Sequence, residues 1–356
     1  MLTIEKNLLN ITDIYYEPVV KTLPRGVELL MQFPDATLHE VESHWKIPHL
    51  HGFEGSAEHW NQIKRNILII GVKKSVSTRP NTRSSNFVAP SLANGCTMSC
   101  IYCYVPRRKG YANPITVFAN IEQILRHIER HAAKQGVKTE PDQIDPEYWV
   151  YDIGENSDCS VDALLSNNVK DTIELFKRLP NAKATFATKY VNNDMLSYDP
   201  RGKARIRFSL MPAGISKILD VRTSPISERI AAINNFVDAG WEVHINFSPV
   251  VFYENWIKDY KLLLQEIDDT LHEKAKQQLK SEVIFLTHND KLHEVNLQWH
   301  PKGESYIWHP EIQETKYSQT GGRNLRYKRN LKAELVDAFR TLLAAQLPYC
   351  EIRYIF

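Results

Sequence analysis

Short apolar segments typical of strands alternate with amphipathic helical segments along most of this sequence, and no other feature constrains the fold as strongly. The strand-like run at 148–153 is followed by a helical pattern at 169–179, and the run at 204–210 by a helical pattern at 225–239. A helical pattern also covers 57–66, and one long helical stretch after the run at 243–247 extends to about Gln278. A strand, a helix and a further strand in succession produce parallel strands joined by right-handed crossovers. About six such repeats therefore predict an α/β fold built on a parallel sheet.

Six repeats are too few to close a standard eight-stranded barrel, so we expect a partial (β/α)6 barrel, with a doubly wound open sheet as the alternative. A basic segment rich in Ser, Thr and Pro at 73–85 interrupts the pattern. We therefore predict an N-terminal α/β extension at 1–85, the barrel at 86–290, and a C-terminal α+β segment at 291–356. That last segment would hold a basic, hairpin-like stretch, a final helix and a final strand.

Composition excludes several classes of protein. With 43% apolar and 24% charged residues, the composition differs from that of a disordered protein. No apolar stretch approaches the roughly 18 continuous residues that a membrane-spanning helix needs. Its N-terminus lacks the apolar run of a secretory signal. We therefore expect a soluble, cytoplasmic protein without membrane contact. Because the formal net charge is only +2, a site for a polyanion must come from local clusters of basic residues.

Three of the five cysteines fall within eight residues, in the pattern C-x₃-C-x₂-C formed by Cys96, Cys100 and Cys103, with Tyr104 directly after them. An odd number of cysteines, clustered in this way, indicates metal chemistry in a reducing compartment. Three thiolates can hold three irons of a cubane cluster and leave the fourth iron open to a small molecule. The alternative is a zinc site with Cys159 or a histidine as fourth ligand, although zinc sites usually contain a second C-x₂-C pair.

The cysteine window resembles the signature of the radical S-adenosylmethionine (SAM) enzymes, and its surroundings resemble the spore photoproduct lyase family. The resemblance is weakest at 73–86 and 281–317. It rests on these segments: 15–18, 67–74, 87–104, 186–190, 205–209, 223–230, 240–249 and 346–354. It implies a 4Fe-4S cluster held by the three cysteines, SAM cleaved to a 5′-deoxyadenosyl radical, and a thymine dimer in DNA as substrate. It also implies a monomer and an electron donor such as flavodoxin or ferredoxin.

The resemblance further implies roles for single residues. Tyr104 would contact SAM and return a hydrogen atom together with Tyr102, unless both rings only pack around the cluster. Lys189 would bind the SAM carboxylate. Polar contacts with SAM are implied for three serines near strand ends, where an ordinary turn or cap is the alternative role: Ser157, Ser209 and Ser248.

The segment 152–159 departs from the family pattern. Spore photoproduct lyases place a hydrogen-donating cysteine in a Cys-x-Ser-Asp context, whereas this chain has Glu155 at that position and a cysteine, Cys159, four residues later. Either Cys159 is a displaced donor or the thiol step is absent. By resemblance to many radical SAM enzymes, Glu155 would bind the ammonium group of SAM, with an ordinary loop carboxylate as the alternative.

Basic residues interleaved with aromatic residues at 316–332 suit a phosphate backbone and an extruded base. The candidate nucleic-acid contacts are Arg323, Arg326, Tyr327 and Lys328, with a second basic patch at Arg107, Arg108 and Lys109. The alternative is that the basic residues at 316–332 form an ordinary solvent-exposed face before the last helix and bind no nucleic acid. The main hypothesis is therefore a photoproduct lyase, and the alternatives are a radical SAM enzyme with another nucleic-acid or small-molecule substrate and a non-catalytic zinc protein.

Overall fold

The computed structural model describes residues 8–50, 55–106, 110–317 and 322–356. The chain divides into two units. The first comprises residues 1–99, 104–206 and 239–241, and the second comprises residues 100–103, 207–238 and 242–356. Strand β10 (Ala204–Ser209) passes from the first unit into the second.

The first unit contains nine further strands and five helices among its described residues. In chain order these are β1 (Asp13–Tyr16), α1 (Pro24–Gln32), β2 (Thr37–Glu40), α2 (Ala57–Asn66), β3 (Ile67–Gly71), β4 (Arg79–Pro80), β5 (Phe87–Val88), β6 (Ala93–Asn94), β7 (Ile115–Phe118), α3 (Ile121–Gln135), β8 (Trp149–Asp152), α4 (Cys159–Leu165), α5 (Asn168–Arg178) and β9 (Ala182–Thr188). Two short 3-10 helices, Pro18–Thr22 and Asn193–Tyr198, complete it.

Two sets of strands organise this unit. A five-stranded sheet has the order β2-β1-β3-β7-β6, with parallel pairing except between β6 and β7. In the second set β5, β8 and β9 are parallel, and the short β4 is antiparallel to β5. The N–H of Ala184 in β9 bonds to the carbonyl of Lys203 just before β10. Parallel strands of this kind are buried on both faces, and Leu68, Ile69 and Ile70 of β3 are fully buried.

The second unit continues from β10. Its elements are α6 (Ala213–Leu219), α7 (Ile226–Asp238), β11 (Glu242–Val250), α8 (Trp256–Thr270), α9 (Glu273–Gln278), β12 (Lys280–Phe285), β13 (Thr287–His288), α10 (Asp290–Trp299), α11 (Pro301–Ile307), β14 (Gln313–Tyr317), β15 (Arg323–Tyr327), α12 (Arg329–Gln346) and β16 (Glu351–Ile355). Strands β11, β12 and β16 are parallel. Strands β13, β15 and β14 form a separate antiparallel sheet in that order.

The aromatic core of the second unit lies where α12 packs against α8. The ring of Phe339 in α12 is in edge contact with Tyr260 of α8 at 5.1 Å and with Phe247 of β11 at 5.2 Å between ring centroids. All three rings are buried. Edge-to-face pairs of this kind add to the free energy gained from burial, so α12 is fixed to the sheet by aromatic contacts.

The elements agree closely with the sequence patterns. Helix α2 begins after Ser56, whose hydroxyl accepts a hydrogen bond from the N–H of His59 at 3.3 Å, as expected for an N-cap residue. Helix α7 buries one apolar face that includes Ile226, Ile230 and Ile233. After it, Gly240 has a φ of +84°, a left-handed conformation that glycine adopts without strain.

One predicted helix is wrong. The helical pattern that ends near Gln278 predicts one long helix, but the chain forms α8 and α9 with a break at Leu271 and His272. The Nδ1 atom of His272 accepts the N–H of Ala275 at 3.1 Å, and the His272 N–H bonds to Asn234 Oδ1 at 3.1 Å. These bonds stabilise an extended residue at the start of α9, so the helix restarts there.

The prediction of a mixed α/β fold with parallel strands joined by helices is confirmed. The exact (β/α)6 repeat count and the division at residues 85 and 290 stay predictions. Among the described residues, no helix is both long enough and apolar enough to cross a membrane.

We expect Ile69→Ala to destabilise the first unit by about 2–5 kcal/mol, because it removes a fully buried side chain and leaves a cavity. Leu38→Ala in the edge strand β2 is the matched control, since Leu38 is 47% exposed. Thermal unfolding measured by circular dichroism compares the two variants. Equal melting temperatures would contradict the burial of β3.

Candidate active site

The cysteine loop begins in the first unit with a glycine that no other residue replaces without strain. Gly95 has a φ of +90°, and a Cβ atom there would lie 2.4 Å from the carbonyl oxygen of Pro114. The buried Lys64 donates from Nζ to the carbonyl of Cys96 at 3.1 Å, and the Met98 N–H donates to Cys96 Sγ at 3.4 Å. The backbone around the first thiol is therefore held by side-chain and main-chain donors.

The loop continues with residues 100–103, which belong to the second unit. The N–H of Cys103 donates to the carbonyl of Cys100 at 3.0 Å, which makes a tight turn between two thiols. Between them, the Tyr102 hydroxyl donates a short hydrogen bond to the carboxylate of Asp220. Loss of solvation raises the pKa of Tyr102 well above its usual value, and the charge of Asp220 raises it further, so the phenol stays protonated.

A buried arginine connects Tyr102 with the end of β10. Arg229 Nη1 lies 3.1 Å from Asp220 Oδ2 and donates to the carbonyl of Ser209 at 2.7 Å. Its Nε donates to the carbonyl of Ser224 at 2.8 Å. Arg229 is completely buried, and a buried guanidinium is stable only when it is paired and hydrogen-bonded in this way. The network thus fixes the backbone of Ser209 relative to the loop between two of the cysteines.

In the first unit, the structure brings Tyr104 and Glu155 together. The Tyr104 hydroxyl donates to the main-chain carbonyl of Glu155, and the Glu155 carboxylate forms an ion pair with Arg79 of β4. The side chains of Arg79 and Glu155 are 57% and 25% exposed. Sequence reasoning missed Arg79, although it lies in the basic segment 73–85 that was expected only to mark a boundary or loop.

Asp158 positions Lys189. It is the N-cap of α4, where its Oδ1 accepts the N–H of Ser160 at 3.0 Å. The same carboxylate accepts the Thr188 hydroxyl at 2.7 Å and the Lys189 N–H at 3.0 Å. Burial raises the pKa of Asp158 above its usual value, although these donors oppose the shift. One carboxylate therefore joins the loop after β8 to the end of β9.

The hydroxyl of Ser157 bonds to a second buried carboxylate. Its Oγ lies 2.6 Å from Asp162 Oδ2 in α4. Burial raises the pKa of Asp162 well above its usual value, and the neighbouring Asp158 raises it further. The Ser157–Asp162 bond orients the serine side chain.

Cys159, the displaced candidate donor, is completely buried. Its Sγ lies 3.1 Å from the position that a Cβ atom would take on Gly154, and Phe186 Cβ lies 3.0 Å from that position. The thiol therefore packs beneath the backbone that precedes Glu155. A Cβ atom at this point would be in tight contact with the sulfur, so one of the two groups would have to shift slightly.

Ser209 and Ser248 both lie near strand ends of the second unit. Ser209 is the last residue of β10 and is buried. Ser248 is half-buried and lies in β11, where the register with β12 shifts between Phe247 and Val250. An irregular register re-aims side chains, which distinguishes Ser248 from an ordinary turn serine.

The basic residues of the hairpin β14–β15 have partners of their own. Arg323 forms an ion pair with Asp290 at 3.2 Å, and Arg326 forms one with Glu314 at 2.9 Å. The pair of Arg323 with Asp290 is largely exposed and therefore weak, whereas Arg326 is half-buried and contacts Glu314 through both Nε and Nη2.

Tyr327 differs from its neighbours because it is 1% exposed, and its hydroxyl accepts the N–H of Phe252 at 2.8 Å. Its ring belongs to the interior, so it has no surface on which a base could stack. Tyr317 is the exposed aromatic side chain of the hairpin. Lys328 donates from Nζ to the carbonyl of Glu311 at 2.7 Å. The predicted patch Arg107, Arg108 and Lys109 lies outside the described residues.

Comparisons with known proteins give one consistent match. A family model described as "Spore photoproduct lyase" matches residues 10–356. Spore photoproduct lyase of Bacillus subtilis (strain 168) is 24% identical over 344 residues, covering 96% of this chain and 97% of that protein. The Clostridium acetobutylicum protein of the same name is 26% identical over 273 residues, covering 76% and 77%. A solved structure of a spore photoproduct lyase variant with bound AdoMet and dinucleoside spore photoproduct has a TM-score of 0.88 and 23% identity, covering 98% of this chain and 100% of that chain, and it confirms the fold.

We expect Asp162→Asn to stabilise the protein at neutral pH. Because its folded-state pKa lies well above the usual 3.8, Asp162 favours folding at low pH, and this contribution is lost as the pH rises through the folded-state pKa. The melting temperature of the variant minus that of the native protein should therefore increase between about pH 4 and pH 8. Asp35→Asn, at an exposed aspartate, is the control. If the melting-temperature difference changed with pH in the same way for both variants, the unfavourable burial of the Asp162 carboxylate would be contradicted.

Proposed function

Since this chain belongs to the spore photoproduct lyase family, we propose that it is a radical SAM lyase that repairs pyrimidine photoproducts in DNA. The observation that carries the proposal is the C-x₃-C-x₂-C loop, set in a chain that the family matches over residues 10–356. The relatives matched along 96% or 76% of this chain are themselves spore photoproduct lyases.

The residues of the cysteine loop fit an iron–sulfur cluster. Cys96, Cys100 and Cys103 are each partly exposed, and a main-chain N–H points to Cys96 Sγ, as N–H donors do around cluster sulfurs. When bound, a 4Fe-4S cluster supplies the electron that cleaves SAM. The protein's part is to hold the three thiols and to exclude competing reactions. The odd number of cysteines and the clustering of three of them support a role in a reducing compartment such as the cytoplasm.

We propose that SAM binds to residues that lie near strand ends. Lys189, whose backbone Asp158 fixes, would bind the SAM carboxylate. Glu155 would bind the ammonium group after exchanging its partner Arg79. The hydroxyls of three serines would complete the polar contacts: Ser157, Ser209 and Ser248. Tyr104 would line the same site, and Tyr102 would act through its bond to Asp220.

The substrate proposal rests on the family and on the basic hairpin. A structurally similar lyase binds a dinucleoside spore photoproduct, and we propose that this chain acts on the corresponding lesion in DNA. Arg323 and Lys328 would contact phosphates in place of an exposed ion pair and a carbonyl, and Arg326 would do so in place of its contacts with Glu314. Flavodoxin or ferredoxin would supply the electron to a monomeric enzyme.

Glu155 motivates one alternative. A carboxylate at the position where the family has its hydrogen-donating cysteine cannot donate a hydrogen atom as a thiol does, so a radical SAM enzyme with another nucleic-acid or small-molecule substrate is the second candidate. The burial of Cys159 points the same way, because the thiol lies beneath Gly154.

The main proposal predicts that anaerobically reconstituted protein holds about four irons per chain and, with dithionite and SAM, removes photoproducts from ultraviolet-irradiated DNA. Cys100→Ala should lose both the iron and the 5′-deoxyadenosine product, whereas Cys350→Ala, at a buried cysteine outside the loop, should keep both. SAM cleavage without loss of photoproduct would select the second candidate. A single zinc in place of iron would exclude radical chemistry altogether.

We expect Cys159→Ala to leave the distribution of products from irradiated DNA unchanged, because its fully buried thiol does not reach a substrate. Chromatography of the digested DNA measures repaired thymine and side products. Cys350→Ala controls for the loss of a buried thiol. An increase in side products in Cys159→Ala alone would identify Cys159 as the displaced hydrogen donor.

A further inference from the structure

A cluster of two histidines and a glutamate lies in the second unit, among residues to which the proposed reaction gives no role. His288 ends β13, His293 lies in α10 and Glu304 lies in α11. His288 Nε2 is 2.6 Å from Glu304 Oε1, and His293 Nδ1 is 2.5 Å from the same oxygen. Three separate elements thus bring two imidazole nitrogens and one carboxylate oxygen close together.

The cluster is almost closed to water. The side chains of His288 and Glu304 are 0% and 2% exposed, and that of His293 is 17% exposed. The indole of Trp308 stacks on His293 with ring centroids 3.7 Å apart and an angle of 9° between the planes. Trp308 also contacts His288 edge-on at 5.7 Å. A carboxylate in such surroundings requires a cationic or hydrogen-bonding partner.

A fourth residue sets the orientation of the carboxylate. Asn296 Nδ2 donates to Glu304 Oε2 at 2.8 Å, which leaves Oε1 facing the two imidazoles. The same amide group donates to the carbonyl of Ile101 at 2.8 Å. Ile101 lies between Cys100 and Tyr102 in the cysteine loop. Asn296 therefore joins the histidine–glutamate cluster directly to the backbone of that loop.

We propose that His288, His293 and Glu304 bind one divalent transition-metal ion, for which Zn²⁺ is the best match. Their three ligand atoms all lie within 4.8 Å of one another. Two imidazole nitrogens and one carboxylate oxygen are a common ligand set for zinc, with water in the fourth position. Hydrogen bonds from residues behind the ligands characteristically orient such sites, and Asn296 supplies one to Glu304.

The metal would have a structural effect on the cysteine loop. It would cross-link β13, α10 and α11, and Asn296 would transmit that rigidity to the carbonyl of Ile101. The proposed site uses no residue of the proposed reaction, so its existence does not rest on the lyase activity. A metal that binds only the native conformation also raises the melting temperature.

The test uses the full chain with Cys96, Cys100 and Cys103 all replaced by Ala, so that the loop thiols bind neither iron nor zinc. After treatment with a chelator, Zn²⁺ is titrated in competition with a chromophoric chelator, and Co²⁺ is added separately to record its d–d absorption. We expect one Zn²⁺ per chain and a rise in melting temperature with Zn²⁺. His293→Ala and Glu304→Gln should each abolish both effects.

Two further variants separate metal binding from a general loss of structure. Asn296→Ala should weaken Zn²⁺ affinity by about 10- to 100-fold without abolishing it, as loss of an orienting hydrogen bond does. His309→Ala, at a histidine paired with Glu311 outside the cluster, should leave affinity unchanged, and circular dichroism confirms that each variant is folded. Absence of Zn²⁺ binding, or binding unaffected in both His293→Ala and Glu304→Gln, would overturn the proposal.

Discussion

The complete burial of Arg229 is the constraint on which the second unit's part of the candidate site depends. A guanidinium transferred from water to the interior loses its hydration, and it is retained only where acceptors surround it. Asp220 supplies the charge, and the carbonyls of Ser209 and Ser224 supply further acceptors. Because Asp220 also accepts the Tyr102 hydroxyl, the carboxylate that neutralises the buried cation also holds residues 100–103 of the cysteine loop.

The first unit buries two carboxylates, whereas the second unit buries a cation. Asp158 gathers main-chain donors from α4 and from Lys189, and these donors oppose part of the desolvation that raises its pKa. Asp162 has Ser157 as its donor, and its pKa lies further above the usual value. Burial of these two carboxylates is unfavourable, but their hydrogen bonds fix the backbone near two strand ends. Such unfavourable burial is common at functional sites.

The sequence predicted the helices and strands better than it predicted the contacts between side chains. The helix predicted at Ala57–Asn66 has those bounds in the structure, because its N-cap and its pattern are local. The residues that it missed include Arg79, whose partner Glu155 lies 76 residues away, and Arg229, whose partners lie 5 to 20 residues away. A signal existed for Arg229, since it lies three residues after Ile226 on the apolar face of α7, where a charge requires a buried partner. Arg79 carried no such signal, because its strand has only two residues.

The amino-acid sequence by itself determined the alternation of strands and helices, the three-cysteine loop and the departure at Glu155, because periodicity and spacing are properties of neighbouring residues. Only the tertiary structure decided that Cys159 is buried beneath Gly154, that Tyr327 is an interior ring, and that His288 and Glu304 meet. Burial and pairing depend on which segments fold against each other. The sequence gives the chemical type of each residue, but its solvent exposure and its partners are fixed only when the chain has folded.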